Sequence, residues 1–145
     1  MRSSSWLTLV VRLGTMPALV EISNVRQSAS EPRRRWFVSD DLDLVVWCDE
    51  SGRPSGFQLC YDKGRAERAL TWQPIGGFSH MAVDDGDRVG AKYKAIPILV
   101  ADGSGLFPAN RVADRFVDES ADLPPEIADF VNMKLRQHPE YVHEA

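Results

Sequence analysis

Three runs decide the fold: Leu44-Val45-Val46-Trp47-Cys48, Phe57-Gln58-Leu59-Cys60-Tyr61 and Arg68-Ala69-Leu70-Thr71-Trp72. Each is rich in β-branched, aromatic and apolar residues, the mark of a strand. Between them lie Asp49-Glu50-Ser51-Gly52-Arg53-Pro54-Ser55-Gly56 and Asp62-Lys63-Gly64-Arg65-Ala66, made of residues that tolerate turn geometry. Connections this short force antiparallel neighbours, so 43–73 predicts a three-stranded meander. Placing Cys48 opposite Cys60 closes the first turn on Arg53–Ser55. Placing Asp62 opposite Glu67 closes the second on Lys63–Ala66. One face then carries Val45, Trp47, Phe57, Leu59, Tyr61, Leu70 and Trp72 and is read as the core. The other carries Leu44, Val46, Cys48, Gln58, Cys60, Ala69 and Thr71. A one-residue slip would change every pairing.

Upstream, Ala18–Ile22 reads as a short strand, Ser23–Arg35 as a polar loop, and Trp36-Phe37-Val38 as the start of the next extended piece. Downstream, Pro74–Val89 reads as a loop, and Ala95–Val100 as a strand in which Pro97, lacking an amide donor, belongs at an edge or bulge. The period then changes. Val112, Ala113, Phe116 and Val117 form an apolar helical stripe. Pro124-Pro125-Glu126 opens a second helix, because proline is tolerated in a first turn. Ile127, Phe130, Val131 and Leu135 follow on one face, and His138-Pro139 ends it. Strands first and helices last predict an α+β fold: an antiparallel sheet of about five strands with a C-terminal helical hairpin.

The meander wording, Gly56-Phe57-Gln58-Leu59-Cys60-Tyr61-Asp62-Lys63 followed by Ala69-Leu70-Thr71-Trp72, with Trp36-Phe37 upstream, resembles a family of short bacterial proteins of no known activity. The resemblance covers residues 33–85. It implies a bacterial cytosolic domain and carries no catalytic residues with it.

Residues 16–145 are read as one α+β domain and 1–15 as an upstream extension or disordered leader, with Met16 the natural start. The apolar run Trp6–Val11 is too short for a signal peptide and no small-x-small cleavage site follows it. No apolar run reaches the roughly 18 residues of a membrane span. Two cysteines are too few for a disulfide framework and their spacing matches no zinc pattern, which predicts a reduced, cytoplasmic protein.

The chain carries a net charge of −4, which disfavours a general nucleic-acid binder. Its first 36 residues hold six arginines against two glutamates. Arg33-Arg34-Arg35-Trp36 is the one basic run with an aromatic, too narrow for phosphate tracking. Nucleotide-binding glycine motifs and the Gly-x-Ser-x-Gly elbow are absent from the sequence, which therefore names no cofactor.

Three constellations remain. The first is the hairpin end, where Tyr61, Lys63, Arg65 and Arg68, with Trp47 and Trp72 nearby, form an aromatic floor with a charged rim suited to a small anion or nucleotide. The plainer account is a solvated turn with weak ion pairs. The second is His80 with Asp84 and Asp85 as an acid–base group, or with Asp84 and Asp87 as a metal site, although Asp-Asp-Gly-Asp is also an ordinary turn and fits no calcium loop. The third is the pair Cys48 and Cys60 as redox partners or soft ligands, against two small residues filling a sheet face. The favoured reading is a non-enzymatic small-ligand or protein-interaction module of a bacterial cytosol. The alternative is a small metal-assisted or acid–base enzyme using His80 with Asp84 or Asp85. A homodimer sealed by the edge Ile96–Val100 is a further expectation.

Overall fold

A computed structural model describes residues 18–23, 25, 27, 29–83, 99–100 and 106–143. Strands β1 (Val20–Ile22), β2 (Arg33–Val38), β3 (Asp43–Cys48), β4 (Pro54–Tyr61), β5 (Arg68–Gln73) and β6 (Gly77–Val83) follow one another in space as in sequence. Every pairing is antiparallel. A two-residue β7 (Leu99–Val100) pairs with β6 at the far edge. Helices α1 (Ala109–Glu119) and α2 (Pro125–Gln137) follow. The fold is α+β: a six-strand meander with a short edge addition and a C-terminal helical pair.

Two stretches read as loop contain strand. Arg33–Arg35 belong to β2, and Gly77–Val83 form β6. The Gly76-Gly77 pair, read as part of a loop, turns a tight hairpin instead: both residues have positive φ, 103° and 69°, a region that favours glycine. The alternation that follows is weakened by His80 and Ser79, so it does not announce a strand. Residues 1–17, 84–98 and 101–105 lie outside the described residues. So do the proposed leader and Met16, the acidic run Asp84–Asp87, and all of the Ala95–Val100 strand except β7.

The second hairpin has the register expected, with Tyr61 against Arg68 and Phe57 against Trp72. The first does not. Cys60 lies opposite Asp43, Trp47 opposite Gly56, and Cys48 opposite Pro54 after a shift between Trp47 and Cys48. This slip of five residues from the expected pairing is odd, so it exchanges the faces of β3. Leu44, Val46 and Cys48, rather than Val45 and Trp47, join Phe57, Leu59, Tyr61 and Leu70 in the main core. The cause is local. Asp49 Oδ1 accepts from the Ser51 and Arg53 amides and the Ser51 hydroxyl at 2.7–3.0 Å, fixing the turn at Asp49–Arg53 rather than at Arg53–Ser55.

The helices cover that core face. Val112, Ala113 and Phe116 of α1 and Ile127, Val131 and Leu135 of α2 pack against Phe37, Leu44, Phe57 and Leu59. Each of these side chains other than Ala113 contributes about 1.5–3 kcal/mol by leaving water. Val117, expected on the stripe, is exposed, and Phe130 is only partly buried, with its ring edge-on to Phe57 and Trp72. The opposite face is buried as well along Trp36, Val45, Gln58, Cys60 and Ala69. No helix among the described residues is long and apolar enough to cross a membrane.

Candidate functional site

The β4–β5 turn begins at Asp62, whose φ of 58° is left-handed, a conformation aspartate tolerates better than most side chains. That geometry turns its carboxylate toward α1. Arg111 donates two hydrogen bonds to it, at 2.9 and 3.0 Å, in a bidentate pair. The pair lowers the Asp62 carboxyl below its ordinary value, chiefly through these hydrogen bonds. The Arg111 guanidinium also sits 5.8 Å from the Tyr61 ring centroid.

One helical turn along, Arg115 lies 3.4 Å from Asp41 and 3.5 Å from Glu119. Arg65 projects from the hairpin turn. Together Asp41, Leu42, Tyr61, Asp62, Arg65, Arg111, Val112 and Arg115 line an open cleft of about 360 Å³, counting the solvent at its mouth. Three guanidiniums face two carboxylates above an apolar floor of Leu42, Tyr61 and Val112. This arrangement favours a small anion.

The structure brings Tyr61 and Arg65 of the expected hairpin-end surface into this cleft and leaves the others out. Lys63 donates to the Ser39 carbonyl at 2.8 Å and to Asp43 at 2.9 Å, so it braces the neighbouring turn. Arg68 donates to the Ala66 carbonyl at 3.0 Å. Trp72 lies four residues farther along β5, under the Lys134 ammonium at 3.8 Å from its ring centroid. Trp47 lies on the other face of the sheet, next to Gly56. Arg111 and Arg115 were missed by reading strands and turns alone. Their signal was the four-residue spacing Arg111, Arg115, Glu119, which puts all three on one side of α1.

Among the described residues His80 pairs with Tyr61. Asp84, Asp85 and Asp87 lie outside the described residues. The Tyr61 hydroxyl oxygen is 2.5 Å from His80 Nε2, and the two rings stack with an interplanar angle of 3°. Phe107 packs against both rings and against His138, whose centroid is 4.8 Å away. His138 Nδ1 accepts the Glu140 amide at 3.0 Å, and burial lowers its pKa. A second open cleft, bordered by His80, Phe107 and His138, runs beside them. Among the described residues no group of three His, Cys, Asp or Glu side chains is placed to hold a metal ion.

Cys48 and Cys60 are free and lie on opposite faces of the sheet, so they form neither a redox pair nor a shared ligand set. Burial raises both thiols, Cys60 strongly. Of the basic run, Arg35 is committed to a bidentate pair with Glu21 at 2.7 and 2.8 Å. Compared with known protein families, with curated protein sequences and with solved structures, the chain matches none.

Proposed function

We propose that this protein is a non-enzymatic binding module of a bacterial cytosol, and that it takes a small anionic ligand in the cleft between the β4–β5 turn and α1. The observation that carries this reading is the convergence of Arg65, Arg111 and Arg115 on the Tyr61 floor. Guanidiniums are weakly hydrated and present fixed donor forks, so a cleft holding three of them selects oxyanions over neutral solutes. The test is calorimetric titration with sulfate and acetate at low ionic strength. The expected result is saturable binding that Arg65→Ala combined with Arg115→Ala abolishes while the fold persists. Absence of binding by either anion, or binding that survives the double substitution, overturns the reading.

A second reading, an acid–base enzyme, is favoured by the Tyr61–His80 contact beside an open cleft. In it His80, oriented by the Tyr61 hydroxyl, exchanges a proton with a substrate lying against Phe107 and His138.

A further inference from the structure

Glu119 ends α1 and is 1% exposed. Its Oε1 accepts a hydrogen bond of 2.5 Å from the Ser39 hydroxyl. Its Oε2 is buried and makes no hydrogen bond among the described residues. Among the described residues the Arg115 guanidinium lies 3.5 Å from that oxygen, and the same nitrogen lies 3.4 Å from Asp41 Oδ2. One guanidinium nitrogen is thus shared by two carboxyls, and neither contact reaches the 2.7–2.9 Å of a charge-assisted hydrogen bond. Arg115 is held loosely at the edge of the anion cleft, between an exposed acid and a buried one.

We propose that the cleft takes a tetrahedral oxyanion, of the phosphate-ester class, between Arg65 and Arg115, and that Glu119 is the residue positioning Arg115 for it, gaining a proton as the anion binds. The proposal rests on the anion-binding reading above.

The ligand class follows from how the arginines are used. Arg111 already spends a planar, bidentate edge on Asp62. Arg65 comes from the β4–β5 turn and Arg115 from α1, so the two forks of the cleft belong to different elements. A carboxylate offers one edge of two oxygens, whereas a tetrahedral oxyanion offers several edges and can meet both forks.

The proton follows from burial. Drawing Arg115 toward an anion takes from Glu119 the cation that offsets its charge. A buried carboxylate left without that cation is costly, so it neutralises. Burial already raises this carboxyl, Asp41 beside it adds to the rise, and the Ser39 bond and Arg115 oppose it. The groups around Glu119 are Ser39 and Asp41 from the β2–β3 turn and Arg115 from its own helix. The Leu19 amide bonds its backbone carbonyl, and Lys63 stands one step behind, on the Ser39 carbonyl. By linkage, an anion whose binding takes up a proton binds more tightly as pH falls through the raised Glu119 value.

Sulfate is the probe, because it stays doubly charged from weakly acidic to weakly basic pH and its own titration does not enter. Calorimetry in two buffers of different ionisation enthalpy reads proton uptake directly. Wild type is expected to take up protons on binding sulfate, and to bind about threefold to tenfold tighter at pH 5.5 than at pH 8. Glu119→Gln should bind sulfate equally at both pH values with no uptake. Ser39→Ala, which removes a bond favouring charged Glu119, should move the pH midpoint upward, and it serves if Glu119→Gln fails to fold. Acetate should bind more weakly than sulfate. If wild type binds sulfate with pH-independent affinity, or if the pH dependence persists unchanged in Glu119→Gln, this inference is overturned while the binding module stands. If neither anion binds at either pH, both fail.

Discussion

The Tyr61 hydroxyl reaches across β5 to within 2.5 Å of His80 Nε2, and the two rings lie parallel over the intervening strand. Both residues point to the helix-covered face, one row apart in the sheet. Phe107 closes over them. The contact joins the third and fifth strands of the five from β2 to β6, so it ties the late hairpin to the early one.

Tyr61→Phe removes the hydroxyl and with it the contact to His80 Nε2 in a half-buried site. The expected loss is about 1–2 kcal/mol in urea unfolding. His80→Phe removes the other partner, and the double variant should be less destabilised than the two single losses combined. Additive losses would mean that the contact does not contribute.

Lys63 braces the β2–β3 turn through the Ser39 carbonyl and Asp43, and is not itself among the residues lining the anion cleft. Lys63→Ala should therefore lower stability by about 1 kcal/mol while leaving sulfate affinity within about twofold of wild type. A loss of affinity with unchanged stability, read by calorimetry beside urea unfolding, would move the binding surface to the other side of the hairpin.

The two thiols test the register. With Cys48 and Cys60 on opposite faces, mild oxidation of the native protein should form no internal disulfide. Both thiols are buried with raised pKa, so both should resist alkylation until denaturant is added, with Cys60 the slower. Mass spectrometry of the oxidised and alkylated protein reads each result. In the same register Leu44 faces the helices, so Leu44→Ala should cost about 2–5 kcal/mol.

Stability should fall at both ends of the pH range, for opposite reasons. Asp62 and Glu21 have lowered pKa through Arg111 and Arg35, so their contribution is present above their ordinary values of 3.8 and 4.5 and is lost as the pH falls below them. Glu119 is raised, so its contribution is full below its ordinary 4.5 and is lost as the pH rises through its folded value. Urea unfolding of wild type against Glu119→Gln between pH 5 and 8 should show a gap that widens with pH in favour of the variant. A gap that is constant or narrows would contradict a raised Glu119.

Periodicity alone was enough for the class of this fold. The meander, the second hairpin's register and the helical pair follow from alternation, turn residues and the spacing of apolar side chains, which are local properties that survive without knowing what lies opposite. The first hairpin's faces did not follow. An Asp49 turn with three side-chain bonds closed five residues out of step with a cysteine-matched pairing, and with a period of two an odd slip exchanges every side chain. β6 was hidden because its alternation is broken by polar residues whose partners, Tyr61 for His80 above all, come from another strand. The cleft was half legible. Tyr61 and Arg65 stood out at the hairpin end, but Arg111 and Arg115 enter only when α1 docks on the sheet and brings its arginine edge to Asp62. The buried Glu119 was invisible for the same reason. A glutamate ending an amphipathic helix reads as solvated, and only packing against the Ser39 turn decides that it is not.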